Sequence, residues 1–296
     1  MKILSFGSLN LDHVYAVPHF VQPGETLSSQ SLTTHCGGKG LNQSIALARA
    51  GANVYHAGSI GIEDGSPLLE LLKSSGVNTE FVKSLPCPTG HAIIQVNENG
   101  QNCILLYGGA NQQVSKDQID DTLSHFAAGD MVILQNEINN LAYLMETAGK
   151  KGMIIVFNPS PMTPELLTLP LNYVQYFLLN EIEAQALNGS QVPDEELAGE
   201  LLKKYPCSHI VVTLGSNGCV YADKDRTCYC PAYRVSAVDT TAAGDTFTGY
   251  FVEGISEGKD IDSVLQDASK AAAIAVTRPG AAASIPTRQE VSEFSI

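Results

Sequence analysis

The sequence predicts an α/β protein in which helices cover both faces of a mostly parallel sheet, with a small second sheet beside it. Short apolar runs alternate with helical patterns of about 10–15 residues along most of the chain, as in parallel strands joined by helices. Two stretches, near residues 10–36 and 89–108, replace this alternation with β-like runs. The apolar content of 44% is sufficient for a large buried core.

Length and charge limit the class of protein. The chain has 296 residues, and α/β folds commonly reach this length as one domain, so we expect a single domain over residues 1–296. The formal net charge of −14 argues against a nucleic-acid partner. The sequence offers no apolar run for a membrane span, no signal-peptide pattern and no disulfide-scaffold spacing among its seven cysteines. We therefore expect a cytoplasmic protein without membrane partners.

The N-terminal elements follow from apolar spacing and from turn residues. Apolar residues at helical spacing after Gly38 predict a helix that ends at Gly51, and a Pro-Gly turn at residues 22–25 separates two β-like runs. The predicted elements are a strand ending at Gly7, β runs at 12–17 and 31–36, a helix at 38–50, a strand at 53–58 and a helix at 67–75.

Residues 89–97 and 101–108 predict a hairpin, because Asn99-Gly100 between them tolerates positive φ at both residues. Polar and apolar side chains mix on these runs, which suits a sheet with one exposed face. We expect this hairpin and the early β runs to form a lid. Beyond it, the predicted strands are 131–134, 153–157, 174–178, 209–213, 218–222 and 227–230, and the predicted helices are 139–149, 181–188, 194–204, 243–254 and 261–276.

A glycine-rich segment, C-G-G-K-G-L-N at residues 36–42, enters the first helix. Closely spaced glycines let the backbone approach a ligand, and the following helix offers unpaired N–H groups. The spacing is not that of a P-loop, and no G-x-G-x-x-G follows the first strand. Lys39 and Asn42 could reach hydroxyl groups of a ligand, but a tight turn explains the glycines as well.

The segment D-T-T-A-A-G-D at residues 239–245 predicts an anion-binding helix start, because its small residues expose backbone N–H groups. Asp245 would lie in the first turn. It could accept a proton from an alcohol while the N–H groups of residues 242–245 stabilise a transferring phosphoryl group. The alternative is an ordinary capped helix.

Polar residues also follow two later strands. Asn180 and Glu183 would lie about one helical turn apart at the carboxyl end of a strand, where hydrated Mg²⁺ and phosphate could bind. A capping box, with Asn180 as N-cap and Glu183 at N3, explains the same spacing. The segment T-L-G-S-N-G at residues 213–218 could be a nucleotide loop or a turn rich in helix and strand breakers.

Taken together and in this order, these segments resemble the ribokinase/phosphofructokinase-B family of carbohydrate kinases, from Gly7 to about Ser284. The 37–42 and 239–245 segments look like the two signatures of that family, and G-A-N at residues 109–111 favours its ribokinase branch. The resemblance implies a Rossmann-like, ribokinase-like fold whose β lid closes over the sugar and pairs two subunits into a homodimer. It also implies ATP and sugar as small-molecule partners, with Mg²⁺ and K⁺ as cofactors.

The resemblance assigns roles to individual positions. The implied sugar-binding residues are Asn10, Asp12, Gly38, Lys39, Asn42, Glu137 and Asp245. The implied ATP-binding residues are Asn180, Thr213, Gly215, Gly218, Gly244 and Ser269. Mg²⁺ would be held through water by Asn180 and Glu183, and the monovalent cation by Asp239, Thr241, Ala275, Arg278, Gly280 and Ser284. Asp245 would be the general base, with Ala242, Ala243 and Gly244 forming the anion hole.

Two positions depart from the family pattern. Ser269 stands where such chains usually carry His or Asn near the adenine, and Pro279 interrupts the cation loop but leaves its carbonyl groups available. The implied reaction is phosphorylation of a primary hydroxyl of a small sugar, with D-ribose to D-ribose 5-phosphate as the expectation. The alternatives are a kinase for another sugar, a sugar acid or a nucleoside, and a catalytically silent sugar-binding protein.

Overall fold

The computed structural model describes residues 1–294 and, within them, contains a large and a small sheet. The large sheet joins β13 (Thr227–Cys230), β12 (Cys219–Ala222), β11 (His209–Thr213), β10 (Val174–Asn180), β9 (Ile154–Asn158), β8 (Met131–Gln135), β1 (Ile3–Phe6), β4 (Val54–Gly61) and β5 (Asn78–Leu85) in that spatial order. From β11 to β5 all neighbouring strands are parallel, and β12 and β13 add an antiparallel edge. The predicted mostly parallel sheet is confirmed.

Helices cover both faces of this sheet. They are α1 (Lys39–Ala50), α2 (Ser66–Ser74), α3 (Lys116–Ser124), α4 (Leu141–Lys150), α5 (Glu181–Asn188), α6 (Leu197–Lys204), α7 (Ala243–Ser256), α8 (Ile261–Val276) and α9 (Arg288–Glu293). Adjacent residues of β8 alternate between two cores: Ile133 packs with α1, α7 and α8, and Val132 and Leu134 pack with α3, α4 and α6. Two-sided burial explains why the central strands are continuous apolar runs.

The small sheet has the order β3 (Ser31–Gly37), β2 (Asn10–Ala16), β6 (Gly90–Val96) and β7 (Asn102–Tyr107). It is built from the two stretches that interrupt the alternation of strands and helices, so the expected second sheet is confirmed. In the turn between β6 and β7, Gly100 has a positive φ of 75° and Asn99 does not, so the Asn-Gly pair marks the turn but only its glycine adopts the left-handed conformation. Every residue of β7 is exposed.

Three elements are absent from the sequence prediction. Residues 78–85, for which the sequence analysis predicts no element, form β5 of the large sheet. Phe81 is its buried residue, and charged side chains weaken the apolar pattern. Helix α3 carries three aspartates and begins at the N-cap Ser115, and the short α9 is held by a capping box. No helix of the described chain combines the length and apolar character required to cross a bilayer.

Candidate active site

Two neighbouring cavities lie where the carboxyl ends of the parallel strands meet the N-terminus of α7. The smaller, about 230 Å³, is lined by Lys39, Asn158, Asn180, Glu183 and Asp245, among others. The larger, about 750 Å³, extends along the 213–218 and 232–237 segments toward α8. Thr213, Thr240, Ala243, Gly244 and Phe247 line both cavities. The start of α7 therefore lies at their junction, which is where open α/β sheets bind ligands.

Asp245 lies in the first turn of α7, and its side chain is 93% buried. Two neutral amide groups hold its carboxylate: Gln43 Nε2 donates to Oδ1 and Asn42 Nδ2 donates to Oδ2, both at 2.9 Å. These two hydrogen bonds fix the orientation of the carboxylate. The geometry therefore presents an oriented acceptor at the wall of the smaller cavity.

Backbone N–H groups beside this carboxylate are available to an anion. Ala242 adopts the left-handed conformation with φ of 61°, and the first hydrogen bond inside α7 runs from Thr246 N to Ala242 O at 2.8 Å. The N–H groups of Gly244 and Asp245 therefore have no acceptor within the helix. The Ala243 N–H donates to Thr240 O at 3.3 Å, so this member of the predicted anion hole already has a partner.

The glycines of the 36–42 segment bring parts of the protein close together. A Cβ at Gly37 would lie 2.0 Å from Asp12 Oδ2. At Gly38, where φ is 98°, it would lie 2.9 Å from Ser8 O, and at Gly40 it would lie 2.5 Å from Ser8 N. The glycines thus seat the N-terminus of α1 against the β1–β2 connection.

The predicted sugar-side residues gather around this contact. Glu137 accepts hydrogen bonds from Ser8 Oγ and from Lys39 N, and Asn10 Oδ1 accepts from Asn111 Nδ2 at 2.7 Å. Burial raises the pKa of Glu137. Burial, followed by the charge of Glu137, raises the pKa of Asp12 to about 6.

Lys39 faces several carboxylates at once. Burial lowers the pKa of its ammonium group, but Asp245, Glu137 and Glu183 raise it by more, and the net shift is upward. The ammonium group is therefore cationic at neutral pH, and it lines the smaller cavity with Asp245. A half-buried cation there would attract a phosphate group.

Asn180 and Glu183 form the capping box that the sequence allowed. Asn180 Oδ1 accepts from Glu183 N at 2.8 Å, and Glu183 Oε2 accepts from Asn180 N at 3.0 Å. Both residues also line the smaller cavity, so the capping box does not remove them from the site. The described residues contain no group of three or more His, Cys, Asp or Glu that could hold a metal. Mg²⁺ bound through water and phosphate needs no such cluster.

Three of the residues assigned to a monovalent cation, Asp239, Thr241 and Gly280, meet where the 239–241 segment approaches the loop after α8. Asp239 accepts from Thr241 N and from Gly280 N, each at 2.9 Å. Burial raises the pKa of Asp239, but these hydrogen bonds lower it by more. Ala275 O accepts from Arg278 N at 3.1 Å, Ser284 Oγ donates to Ala281 O at 2.8 Å, and the Arg278 side chain turns away to Glu290. Backbone carbonyl groups are thus what this loop can offer a cation.

Several polar residues of the site carry no sequence motif. Gln43 is completely buried and contacts Asp245, Asn158 and Gln135. Ser8 contacts Glu137. Neither residue belongs to a recognisable pattern in the sequence, although Gln43 directly follows Asn42 on the helix that the motif begins.

Comparisons with known proteins identify the family of the chain. A model of the pfkB family carbohydrate kinases matches residues 1–288. The chain belongs to this family. It is 37% identical to the ribokinase of Haemophilus influenzae over 97% of this chain and 96% of that protein. It is 31% identical to the deoxyribokinase of Salmonella typhi over 99% and 98%. The structure of Arabidopsis thaliana ribokinase complexed with ribose and ATP has a TM-score of 0.86, 29% identity and 99% coverage of both chains.

This pfkB-family member is therefore a carbohydrate kinase that uses ATP to phosphorylate a sugar hydroxyl. Five of the six residues that the sequence assigned to the nucleotide line the larger cavity, namely Thr213, Gly215, Gly218, Gly244 and Ser269. The sixth, Asn180, lines the smaller cavity. Ser269 Oγ lies 3.9 Å from Cys219 Sγ and 3.7 Å from Cys230 Sγ. Both thiols thus lie within weak hydrogen-bonding distance of the serine hydroxyl at the wall of the larger cavity.

Proposed function

We propose that this kinase transfers the γ-phosphoryl group of ATP to the 5-hydroxyl of D-ribose, forming D-ribose 5-phosphate. The observation that carries the proposal is the Asp245 carboxylate, oriented by two amide donors beside the available N–H groups of Gly244 and Asp245. The ribokinases of H. influenzae and A. thaliana are similar over nearly the whole chain. The S. typhi deoxyribokinase supports 2-deoxyribose as a second candidate acceptor.

In the proposed mechanism Asp245 accepts the proton of the sugar hydroxyl as its oxygen attacks the γ-phosphorus. The N–H groups of Gly244 and Asp245 and the Lys39 ammonium stabilise the negative charge on the transferring group. Asn10, Asp12, Gly38, Asn42 and Glu137 hold the sugar on the lid side of Lys39. Closure of the small sheet over the sugar would exclude water and limit hydrolysis of ATP.

Two cations would complete the site. Asn180 and Glu183 would hold Mg²⁺ through water, and the bound metal supplies charge neutralisation on the phosphates. Backbone carbonyl groups of Asp239, Thr241, Ala275, Arg278, Gly280 and Ser284 would hold K⁺ together with the anionic Asp239 side chain. The loop position fits this role because Pro279 removes an N–H group and no carbonyl. The positive charge of this ion would strengthen anion binding at the start of α7.

The proposed enzyme acts as a cytoplasmic homodimer paired through the lid. Exposed apolar residues on the small sheet, including Leu32, Ile104, Leu105 and Leu106, support pairing. All seven cysteines are unpaired, as is usual in a reducing compartment. Sedimentation velocity would separate a dimer from a monomer, and a monomer at micromolar concentration would contradict the proposed assembly.

The experiment that tests the proposed reaction is ADP release from MgATP with D-ribose, 2-deoxyribose, fructose, 2-keto-3-deoxygluconate or adenosine, with and without K⁺. We expect turnover that depends on ribose and increases with K⁺. Turnover with another acceptor alone would replace ribose in the proposal. Folded protein that binds ATP and releases no ADP with any acceptor would favour a silent sugar-binding protein.

The raised pKa of Asp12 predicts a pH dependence of sugar binding. Burial and Glu137 place this pKa at about 6, so Asp12 gains a proton as pH falls through 6 and then accepts fewer hydrogen bonds from sugar hydroxyls. We expect the KM for ribose to increase below pH 6, and Asp12→Asn to increase it about tenfold or more at pH 7.5. The KM of the variant should not change with pH near 6. If Asp12→Asn keeps the wild-type pH dependence of KM, Asp12 is not the group that responds to pH in sugar binding.

The substitution Gly244→Ala tests phosphoryl transfer at the junction of the two cavities without destabilising the fold. A Cβ at Gly244 meets no atom within 4 Å, but it enters the junction of the two cavities. We expect kcat/KM to fall about ten- to a hundredfold, because small misplacements of reacting groups are costly, with no loss of Tm. Gly199→Ala in α6, where a Cβ also meets nothing, is the matched control. Equal activity of the two variants would show that the junction carries no phosphoryl group.

A further inference from the structure

Gln43 forms a complete set of hydrogen bonds at the base of the site. Its side chain is fully buried. Its Nε2 donates to Asp245 Oδ1 at 2.9 Å and to Asn158 Oδ1 at 3.1 Å, and its Oε1 accepts from Gln135 Nε2 at 2.7 Å. Both amide protons and the amide oxygen are therefore in use, and the Gln43 side chain has no freedom to turn toward a ligand.

The direction of these hydrogen bonds is fixed by the sheet. Asn158 Nδ2 donates to Leu178 O at 2.9 Å, so Asn158 Oδ1 must face Gln43 as an acceptor. Asn158 ends β9 and Gln135 ends β8, two central strands of the large sheet. Gln43 consequently connects the rigid edge of the sheet to the carboxylate of Asp245.

Asn42 holds the other carboxylate oxygen differently. Its Nδ2 donates to Asp245 Oδ2, but its buried Oδ1 has no hydrogen-bond partner among the described residues. That oxygen can accept a hydrogen bond from a sugar hydroxyl, whereas Gln43 has no polar atom left for a ligand. The two oxygens of Asp245 therefore differ: Oδ1 is held by a fully committed amide, and Oδ2 by an amide that still has an acceptor to offer.

We propose that Gln43 is a positioning residue for phosphoryl transfer, which holds Asp245 Oδ1 permanently and leaves Oδ2 to receive the proton. This inference rests on the proposed function. In the step, the sugar O–H bond breaks, the proton bonds to Oδ2, and the hydroxyl oxygen forms a bond to the γ-phosphorus. The bond from that phosphorus to the ADP oxygen breaks, and ADP leaves with its electron pair.

The charges around Asp245 explain why a neutral donor at Oδ1 matters. Lys39 of α1 supplies one positive charge, while Glu137 after β8 and Glu183 of α5 add negative charges that interact with that same lysine. A neutral amide donor stabilises an ionised carboxylate and adds no further charge to this group of charged side chains. Replacing the donor by an acceptor would place two carboxyl groups within hydrogen-bonding distance, where one proton would be shared between them.

The test compares Gln43→Glu with Gln118→Glu by the pH dependence of kcat with saturating MgATP and ribose. Gln118 is also a buried amide, with hydrogen bonds to Gly58 O at 2.8 Å and Ser59 Oγ at 3.2 Å, and it lines neither cavity. We expect Gln43→Glu to move the acid limb of the profile upward by about one pH unit or more and to lower kcat at pH 7 about ten- to a hundredfold. The KM for ribose should change by less than about threefold, since the sugar-side residues are untouched. Gln118→Glu should change Tm only.

A wild-type pH profile in folded Gln43→Glu would overturn the inference and leave the proposed function in place. Activity retained by Asp245→Asn would instead overturn the proposed function itself. If Gln43→Glu does not fold, Gln43→Met gives the same test, because it keeps the volume of the side chain and removes the donor. Its kcat should fall while the KM for ribose stays within about threefold of wild type, and an unchanged kcat would contradict the inference.

Discussion

Asp245→Asn should lower kcat for sugar phosphorylation by about 10²- to 10⁴-fold, the usual contribution of a general base. The asparagine has nearly the same shape as the aspartate, but its amide cannot accept the hydroxyl proton. One of its two polar side-chain atoms is a donor nitrogen, and this nitrogen would face the donor nitrogen of either Asn42 or Gln43. The measurement is kcat with saturating MgATP and ribose, together with circular dichroism and Tm to establish that the variant is folded.

Two results distinguish loss of the base from loss of the fold. The folded variant should still bind ATP, because the residues lining the larger cavity are unchanged, and equilibrium titration would measure this. A kcat within about threefold of wild type would contradict the assignment of Asp245, since removal of a general base lowers the rate by much more than that.

Gly40→Ala should destabilise the fold by about 3 kcal/mol. A Cβ at this position would lie 2.5 Å from Ser8 N, 2.6 Å from Gly7 C and 2.7 Å from Gly7 Cα. These are backbone atoms at the end of a central strand, so neither side can move without disturbing the sheet. A protein of this size should lose about 5–10 °C in Tm, which a thermal unfolding scan measures.

Gly199→Ala again provides the control. This glycine lies inside α6 with open space around its Cβ position, so alanine should stabilise the helix by about 0.5–1 kcal/mol. If the Tm of Gly40→Ala lay within a degree of wild type, the close approach of α1 to the β1–β2 connection would not be a constraint on the fold.

Much of the fold could be predicted because it depends on patterns local to each element. The continuous apolar run at residues 131–134 belongs to a central strand that is buried on both faces. Strand β5 lies at the edge of the sheet and has only one buried residue, so its sequence lacked this signal. The small sheet was predictable from the Asn99-Gly100 turn and from the two stretches in which strands no longer alternate with helices. Helix α3 was not, since its buried residues Ile119 and Leu123 stand among charged ones.

The site was predictable where its residues are contiguous and unpredictable where they are not. Asp245 and Gly244 stand in one segment whose chemistry can be inferred from residue types. The contacts of Gln43 join it to residues 92, 115 and 202 positions away, and only the folded chain brings them together. The glycines at 37, 38 and 40 are contiguous but ambiguous. Their spacing indicates that something approaches the backbone closely, and it does not distinguish another part of the protein from a ligand.

The position of the transferred phosphate tests the central claim most directly. The product of D-ribose and MgATP should be analysed by phosphorus NMR with proton coupling, with folded Asp245→Asn as the control. The account predicts a phosphate monoester coupled to the two protons of the C5 methylene group, and no product in the control. Phosphate on a secondary or anomeric hydroxyl, or the same product at an undiminished rate from Asp245→Asn, would contradict it.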